Sequence, residues 1–80
     1  MNAALTVYST TWCGFCHRLM KQLDREGIPY TAVDIERDAA AAQYVMGVNG
    51  GYQTVPTVVF ADGSALTNPQ LADVLARVGA

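Results

Sequence analysis

Two cysteines stand three residues apart in Trp12-Cys13-Gly14-Phe15-Cys16, and they are the only thiols among the chain's 80 residues. Thiols at i and i+3 on the first turn of a helix close into a disulfide with little backbone movement. The bridge needs Cα atoms about 4.4 to 6.8 Å apart, and one helical turn supplies that spacing. The first of the pair sits beside unpaired backbone N–H groups at the positive end of the helix dipole, which favours a thiolate there. Cys13 is therefore expected to be the exposed, attacking sulfur. Cys16 falls on the apolar stripe of the helix and is expected to be buried, with a higher pKa, as the resolving sulfur. The chemistry this pair can do is disulfide exchange.

His17 extends the motif to C-x-x-C-H, the pattern of c-type haem attachment. Strands on either side and a regular amphipathic helix immediately after the motif argue against haem. Two thiolates and one histidine also leave a tetrahedral zinc site short of a ligand. No metal is expected, and His17 reads as a solvent-facing helical residue.

The elements that must hold the pair are legible from periodicity. Leu5-Thr6-Val7-Tyr8 alternates like a strand and ends at Ser9-Thr10-Thr11. From Cys13 the period changes: Cys16, Leu19, Met20 and Leu23 form a core stripe, with Arg18, Lys21, Gln22 and Arg25 opposite. Gly27-Ile28-Pro29 stops that helix. Residues 30–35 read as a second strand. Asp38 caps a second helix that runs through its alanines to Asn49-Gly50-Gly51. Thr57-Val58-Val59-Phe60 is apolar enough for a sheet centre. Asp62-Gly63 reads as a two-residue hairpin turn into a strand over 64–66. Asn68 then caps, and Pro69 opens, a last helix with Leu71, Val74, Leu75 and Val78 on one face. The predicted order is βαβαββα in one domain over residues 1–80.

Composition narrows the function. A net charge of −2 without a basic stripe argues against nucleic acid. No apolar run reaches the length of a membrane span. Met1 to Leu5 carries neither the charged nor the apolar region of a secretory leader. A cytoplasmic protein is expected, in which a disulfide is transient and catalytic. No glycine-rich nucleotide motif is present, so no bound flavin or nicotinamide is expected.

A C-x-x-C after the first strand, Thr54-Val55-Pro56 before the third and the βαβαββα order together resemble the glutaredoxin family. The likeness spans essentially the whole chain. Val33-Asp34-Ile35-Glu36, Val48-Asn49-Gly50-Gly51, Phe60-Ala61-Asp62-Gly63-Ser64 and Leu66-Thr67-Asn68-Pro69 are similar to the mycoredoxins, its actinobacterial relatives. The resemblance implies an α/β thioredoxin-like fold, with a four-stranded mixed sheet flanked by three helices. It also implies a cis Val55–Pro56 bond lying against the cysteines, which would turn the Val55 N–H and C=O outward to pair with a substrate backbone. Trp12 and Phe15 would form an apolar rim on the substrate, although Trp12 could equally anchor the loop to the core. Thr67 and Asn68 would help hold the small thiol at the start of the last helix.

Departures from the family pattern bear on which thiol that is. Thr10 stands where a lysine is common, Gln53 where an arginine often precedes the Thr-Val-Pro, and Leu66-Thr67-Asn68-Pro69 replaces a Gly-Gly-x-Asp. Fewer cations suit a sugar-linked thiol such as mycothiol better than glutathione, with bacillithiol as a third candidate. The implied activity is reduction of mixed disulfides between client proteins and that thiol, by a monomer supplied from a separate NADPH-dependent reductase. Two other roles are compatible with the sequence: an electron donor to ribonucleotide reductase, and a carrier in which a dimer bridges an iron–sulfur cluster. A cluster needs four thiolates, so this chain alone cannot hold one.

Overall fold

The computed structural model describes residues 5–78, and the reading of Met1 to Ala4 lies outside them. Its elements are β1 (Leu5–Ser9), α1 (Gly14–Arg25), β2 (Tyr30–Asp34), α2 (Ala39–Val48), β3 (Thr57–Val59), β4 (Ala65–Thr67) and α3 (Leu71–Val78). The strands form one sheet in the order β2-β1-β3-β4. β1 runs parallel to β2, with Val7 opposite Ala32, and antiparallel to β3, with Val7 opposite Val58. β3 and β4 form a hairpin. The sheet is mixed and four-stranded, with three helices against it.

Strand alternation sends β1 side chains to two different cores. Leu5 and Val7 join Val58, Phe60, Leu19, Leu23 and Val74, which packs α1 and α3 on one face. Tyr8 points the other way, against the cluster of Ile35, Ala41 and Val45 that seats α2. Thr57 and Val58, both wholly buried, show why β3 is continuously apolar or hydrogen-bonded: it is covered on both faces.

Helix ends follow from the sequence signals. After α1, Ile28 N–H donates to the Leu23 carbonyl at 3.0 Å and Gly27 N–H to that of Asp24 at 3.1 Å. This is a Schellman arrangement, and it requires the left-handed φ of +69° that Gly27 adopts. Ile28 then packs on the core, and Pro29 ends the run. The Asp38 carboxylate accepts from Ala41 N–H at 3.0 Å, capping α2.

Two local expectations are corrected. The β3–β4 turn holds three residues, not two. Phe60 N–H donates to the Ser64 carbonyl and Gly63 N–H to that of Phe60, both at 2.9 Å, with Gly63 at φ +88°. That is a type I turn followed by a left-handed glycine, and the Asp62 carboxylate holds it by accepting from Ser64 N–H and Oγ. Asn68 does not cap α3, which starts three residues later, at Leu71. Instead Asp73 reaches back to accept from Gln70 N–H at 2.9 Å, half of a capping box. Among the described residues no helix is long and apolar enough to cross a membrane.

Leu23 is fully buried where α1 meets β1, β3 and α3. Leu23→Ala should lower the unfolding free energy by about 2–5 kcal/mol, from lost burial and the cavity left behind. Urea denaturation checks this, and a loss under about 1 kcal/mol would show that the α1 seat tolerates collapse.

Candidate active site

The sulfur of Cys13 is the N-cap of α1. Cys13 has an extended backbone, and its Sγ accepts from the Cys16 N–H at 3.1 Å, the place a serine or aspartate oxygen would normally take. The helix end therefore holds this sulfur by one of its own unpaired donors. The Cys13 S–H is directed at the Val55 carbonyl, 3.9 Å away. The Val55–Pro56 bond is cis, and among the described residues the Val55 N–H and C=O make no backbone hydrogen bond.

Cys13 is not the exposed residue the sequence suggested. It is 6 % exposed, against 0 % for Cys16. The loop carrying Val55 and Pro56 arrives from 42 residues away and covers it, which local patterning around Cys13 does not contain. The asymmetry between the two sulfurs survives in a different form. Cys13 keeps a small opening at the surface, while Cys16 is sealed beneath it on the Leu19–Leu23 stripe. Burial first, and then the hydrogen bond to the Cys13 sulfur, push the Cys16 thiol up to about 12.

Both aromatic residues of the motif stand out from the surface. Trp12 is 70 % exposed and Phe15 67 %, so Trp12 is not a core anchor. A polar contact orients it instead: the indole N–H donates to the Glu36 carboxylate at 3.0 Å. Glu36 is presented by the turn after β2, where its own N–H donates to the Asp34 carboxylate at 2.9 Å. His17 is exposed, as read from the sequence, but its Nε2 lies 2.8 Å from the Thr11 carbonyl, pinning the loop before Cys13.

A hydrogen-bond network that motif reading missed fixes the Thr54-Val55-Pro56 loop. Asn49, at the end of α2, donates through Nδ2 to the Val45 carbonyl at 2.9 Å and to the Thr57 hydroxyl at 3.1 Å. The Thr57 hydroxyl donates to the Thr54 carbonyl at 2.8 Å, and Thr67 donates to Asn49 Oδ1. Asn68, at φ +49°, donates its N–H to the Pro56 carbonyl at 2.7 Å. Thr67 and Asn68 thus brace the loop over Cys13 and sit beside it. The sequence signal for Asn49 was present, an amide before Gly50-Gly51, but it read only as a helix stop.

Thr10 was singled out only as a missing cation. It is 3 % exposed and its hydroxyl has no hydrogen-bond partner among the described residues. Its carbonyl accepts from Cys13 N–H at 3.4 Å. Gln53 is exposed, and its amide rests on the Met46 sulfur. Neither position offers a positive charge to the mouth of the site.

The arrangement can present one sulfur to an incoming disulfide while a second waits beneath it. Its counterparts among known proteins agree with that chemistry. The sequence model of the family Glutaredoxin matches residues 5–65. A protein of Mycobacterium tuberculosis H37Rv named as a glutaredoxin is 55 % identical over 78 residues, covering 98 % of this chain and 93 % of that protein. Mycoredoxin 1 of Corynebacterium glutamicum is 42 % identical over 76 residues, covering 95 % and 94 %. The crystal structure of a glutaredoxin from Archaeoglobus fulgidus superposes with a TM-score of 0.78 at 21 % identity, over 95 % of this chain and 86 % of that one, which supports the fold. The chain belongs to the glutaredoxin family and is a thiol-disulfide oxidoreductase.

Proposed function

We propose that the protein reduces mixed disulfides between client proteins and a low-molecular-weight thiol, with mycothiol as that thiol, and that Cys13 is the residue that exchanges. The observation that carries this reading is the contrast between the sulfurs. Cys13 keeps an opening at the surface, whereas Cys16 is sealed beneath it, and that burial pushes its thiol up to about 12 and keeps it protonated at neutral pH. Once Cys13 carries an adduct, the burial of Cys16 remains, and its attack on Cys13 is slow. That leaves time for a second small thiol to collect the adduct.

In the proposed cycle the Cys13 thiolate attacks the small thiol's sulfur in the mixed disulfide. The protein's sulfur leaves as a thiolate, takes a proton, and Cys13 holds the small thiol. A second molecule of that thiol attacks the adduct, forming the small-thiol disulfide and freeing Cys13. A separate NADPH-dependent reductase returns two electrons to that disulfide. Cys16 supplies the slower exit, closing the Cys13–Cys16 disulfide when no small thiol is at hand. Val55 offers the client backbone its free N–H, and its C=O once Cys13 has given up the proton it directs there, while the exposed rings of Trp12 and Phe15 give the client an apolar rim. The absence of a cation at Thr10 and Gln53, together with the likeness to mycoredoxin 1, supports mycothiol over the doubly carboxylated glutathione. A reducing cytoplasm is the compartment in which this cycle runs.

Coupled NADPH assays with the mycothiol, glutathione and bacillithiol systems, and with thioredoxin reductase, test the assignment. The mycothiol system should give the highest kcat/KM. Fastest turnover with thioredoxin reductase alone would replace this reading with that of a direct redoxin.

Cys13→Ser should abolish reduction of thiolated substrates. Cys16→Ser should keep most of that activity and lose activity on protein disulfides. Equal loss in both variants on a thiolated substrate would overturn the division of roles.

The same buried thiol makes stability depend on pH. Unfolded Cys16 releases its proton near 9, whereas folded Cys16 keeps it to about 12. The unfolded state then binds fewer protons, so the reduced protein should lose stability as pH rises from about 9 towards 12. Below 9 the contribution is fully present. Urea midpoints at pH 8 and pH 10 for reduced wild type and Cys16→Ala check this, and an equal decline in both would remove Cys16 as the cause.

A further inference from the structure

One carboxylate is tied directly to the cysteine motif, that of Glu36, which accepts from the Trp12 indole N–H at 3.0 Å. The turn that presents it is held by its own backbone. The buried Ile35 donates its N–H to the Ser9 carbonyl at 3.0 Å, Arg37 N–H donates to the Asp34 carbonyl at 3.1 Å, and Glu36 N–H to the Asp34 carboxylate at 2.9 Å. Ser9 ends β1, from which the loop to Cys13 departs, so the carboxylate and the indole meet at one anchored place. The residue before Trp12 is pinned too, with the Thr11 carbonyl 2.8 Å from His17 Nε2. Trp12 is 70 % exposed, so its ring is fixed by this polar contact and not by burial. An exposed aromatic ring that is already ordered is suited to anchoring a partner.

The charge on Glu36 is left uncompensated. Arg37, its neighbour in the chain, turns to Asp34, with Nε 3.8 Å from that carboxylate, and among the described residues Glu36 has no ion-pair partner. Thr10 and Gln53 bring no cation to the mouth. Trp12 and Cys13 are consecutive, with Cα atoms about 3.8 Å apart, so the Glu36 carboxylate stands within roughly 15 Å of the Cys13 sulfur. A client side chain lying on the indole comes within about 8 Å of it, the screening length at physiological salt. Two like charges about 6 Å apart in water repel enough to change a rate about threefold.

We infer that Glu36 is a specificity-determining residue for clients: it holds Trp12 ready against the client segment and gives that side of the mouth a negative charge. Segments with lysine or arginine beside the thiolated cysteine are favoured, and segments with aspartate or glutamate there are turned away. The inference rests on the proposed attack of Cys13 on a mixed disulfide, with the client on Val55 and the aromatic rim. Glu36 acts through Trp12 and on the client's flanking charge, not on the exchanging sulfurs.

Two experiments test it. The first measures single-turnover release of peptide thiol from a set of peptides, each with a 2-hydroxyethyl disulfide on its cysteine and either Glu, Gln or Lys on both sides of it. Glu36→Gln keeps an oxygen for the indole and removes the charge. It should raise the Glu-to-Gln peptide rate ratio about threefold and lower the Lys-to-Gln ratio. The change should vanish at about 1 M salt, where the screening length falls to about 3 Å. Glu26→Gln, which removes the same charge at the far end of α1, should leave both ratios as in wild type. Unchanged ratios in Glu36→Gln, or the same change in Glu26→Gln, would overturn the inference. The second experiment reads Trp12, the chain's only tryptophan, by its fluorescence. In Glu36→Gln iodide should quench it about twofold more strongly than in wild type, caesium less, and acrylamide equally. That pattern with no exchange of any peptide would leave the charge at Trp12 standing and defeat the proposed cycle. Iodide quenching equal in wild type and Glu36→Gln would defeat the inference itself.

Discussion

One hydrogen bond organises the site: the Cys16 N–H to the Cys13 sulfur at 3.1 Å. It makes the sulfur proposed to react part of the helix that carries it. A capping oxygen holds a helix end and has no further task, but here the capping atom is also the one expected to leave for a mixed disulfide. The position of that atom is then set by whatever fixes α1. Leu19 and Leu23 seat α1 on β1 and β3, and the Schellman turn at Gly27 and Ile28 fixes its far end. A helix held at both ends places its first turn just beyond the end of the central strand β1 with little freedom, so the two sulfurs keep their offset.

The second constraint comes from the opposite side of the sheet. Val55 packs with Ile35, Ala41 and Val45 under α2, which carries its carbonyl towards Cys13 from above. Asn49 ties the end of α2 to Thr57 and, through Thr67, to β4, so the loop is braced from two elements at once. The site is a contact between two braced pieces, a helix start from one face of the sheet and a loop anchored to the other. This explains how Cys13, at the surface end of α1, is nearly covered by a loop that comes from the other face of the sheet.

Much of this was legible from residue types. The apolar stripes of α1 and α3, the glycine stops and the Asp38 cap are local signals, and each appears where the sequence places it. Most of the errors share one physical origin, that local patterns do not contain what distant chain does; the hairpin is the exception. Cys13 read as exposed because the loop that covers it lies beyond β2 and α2. Asn68 read as a cap because it precedes Pro69, but its N–H is claimed by the Pro56 carbonyl and it adopts a left-handed conformation instead. Trp12 could be weighed as core or rim, and the choice was decided by a carboxylate on the turn after β2. The hairpin gained a residue because Asp62 bonds to Ser64 and leaves Gly63 to close the bulge. The unpartnered Thr10 hydroxyl has no sequence signature at all.

The central claim is that Cys13, and not Cys16, accepts the small thiol from a client. Mixing the reduced protein with a mycothiolated client, quenching in acid within milliseconds and mapping the adduct by mass spectrometry reads this directly. The account predicts a mycothiol adduct on Cys13 with the client released as a free thiol, appearing before any Cys13–Cys16 disulfide. An adduct on Cys16, or a client joined to Cys13 with free mycothiol released, would contradict it.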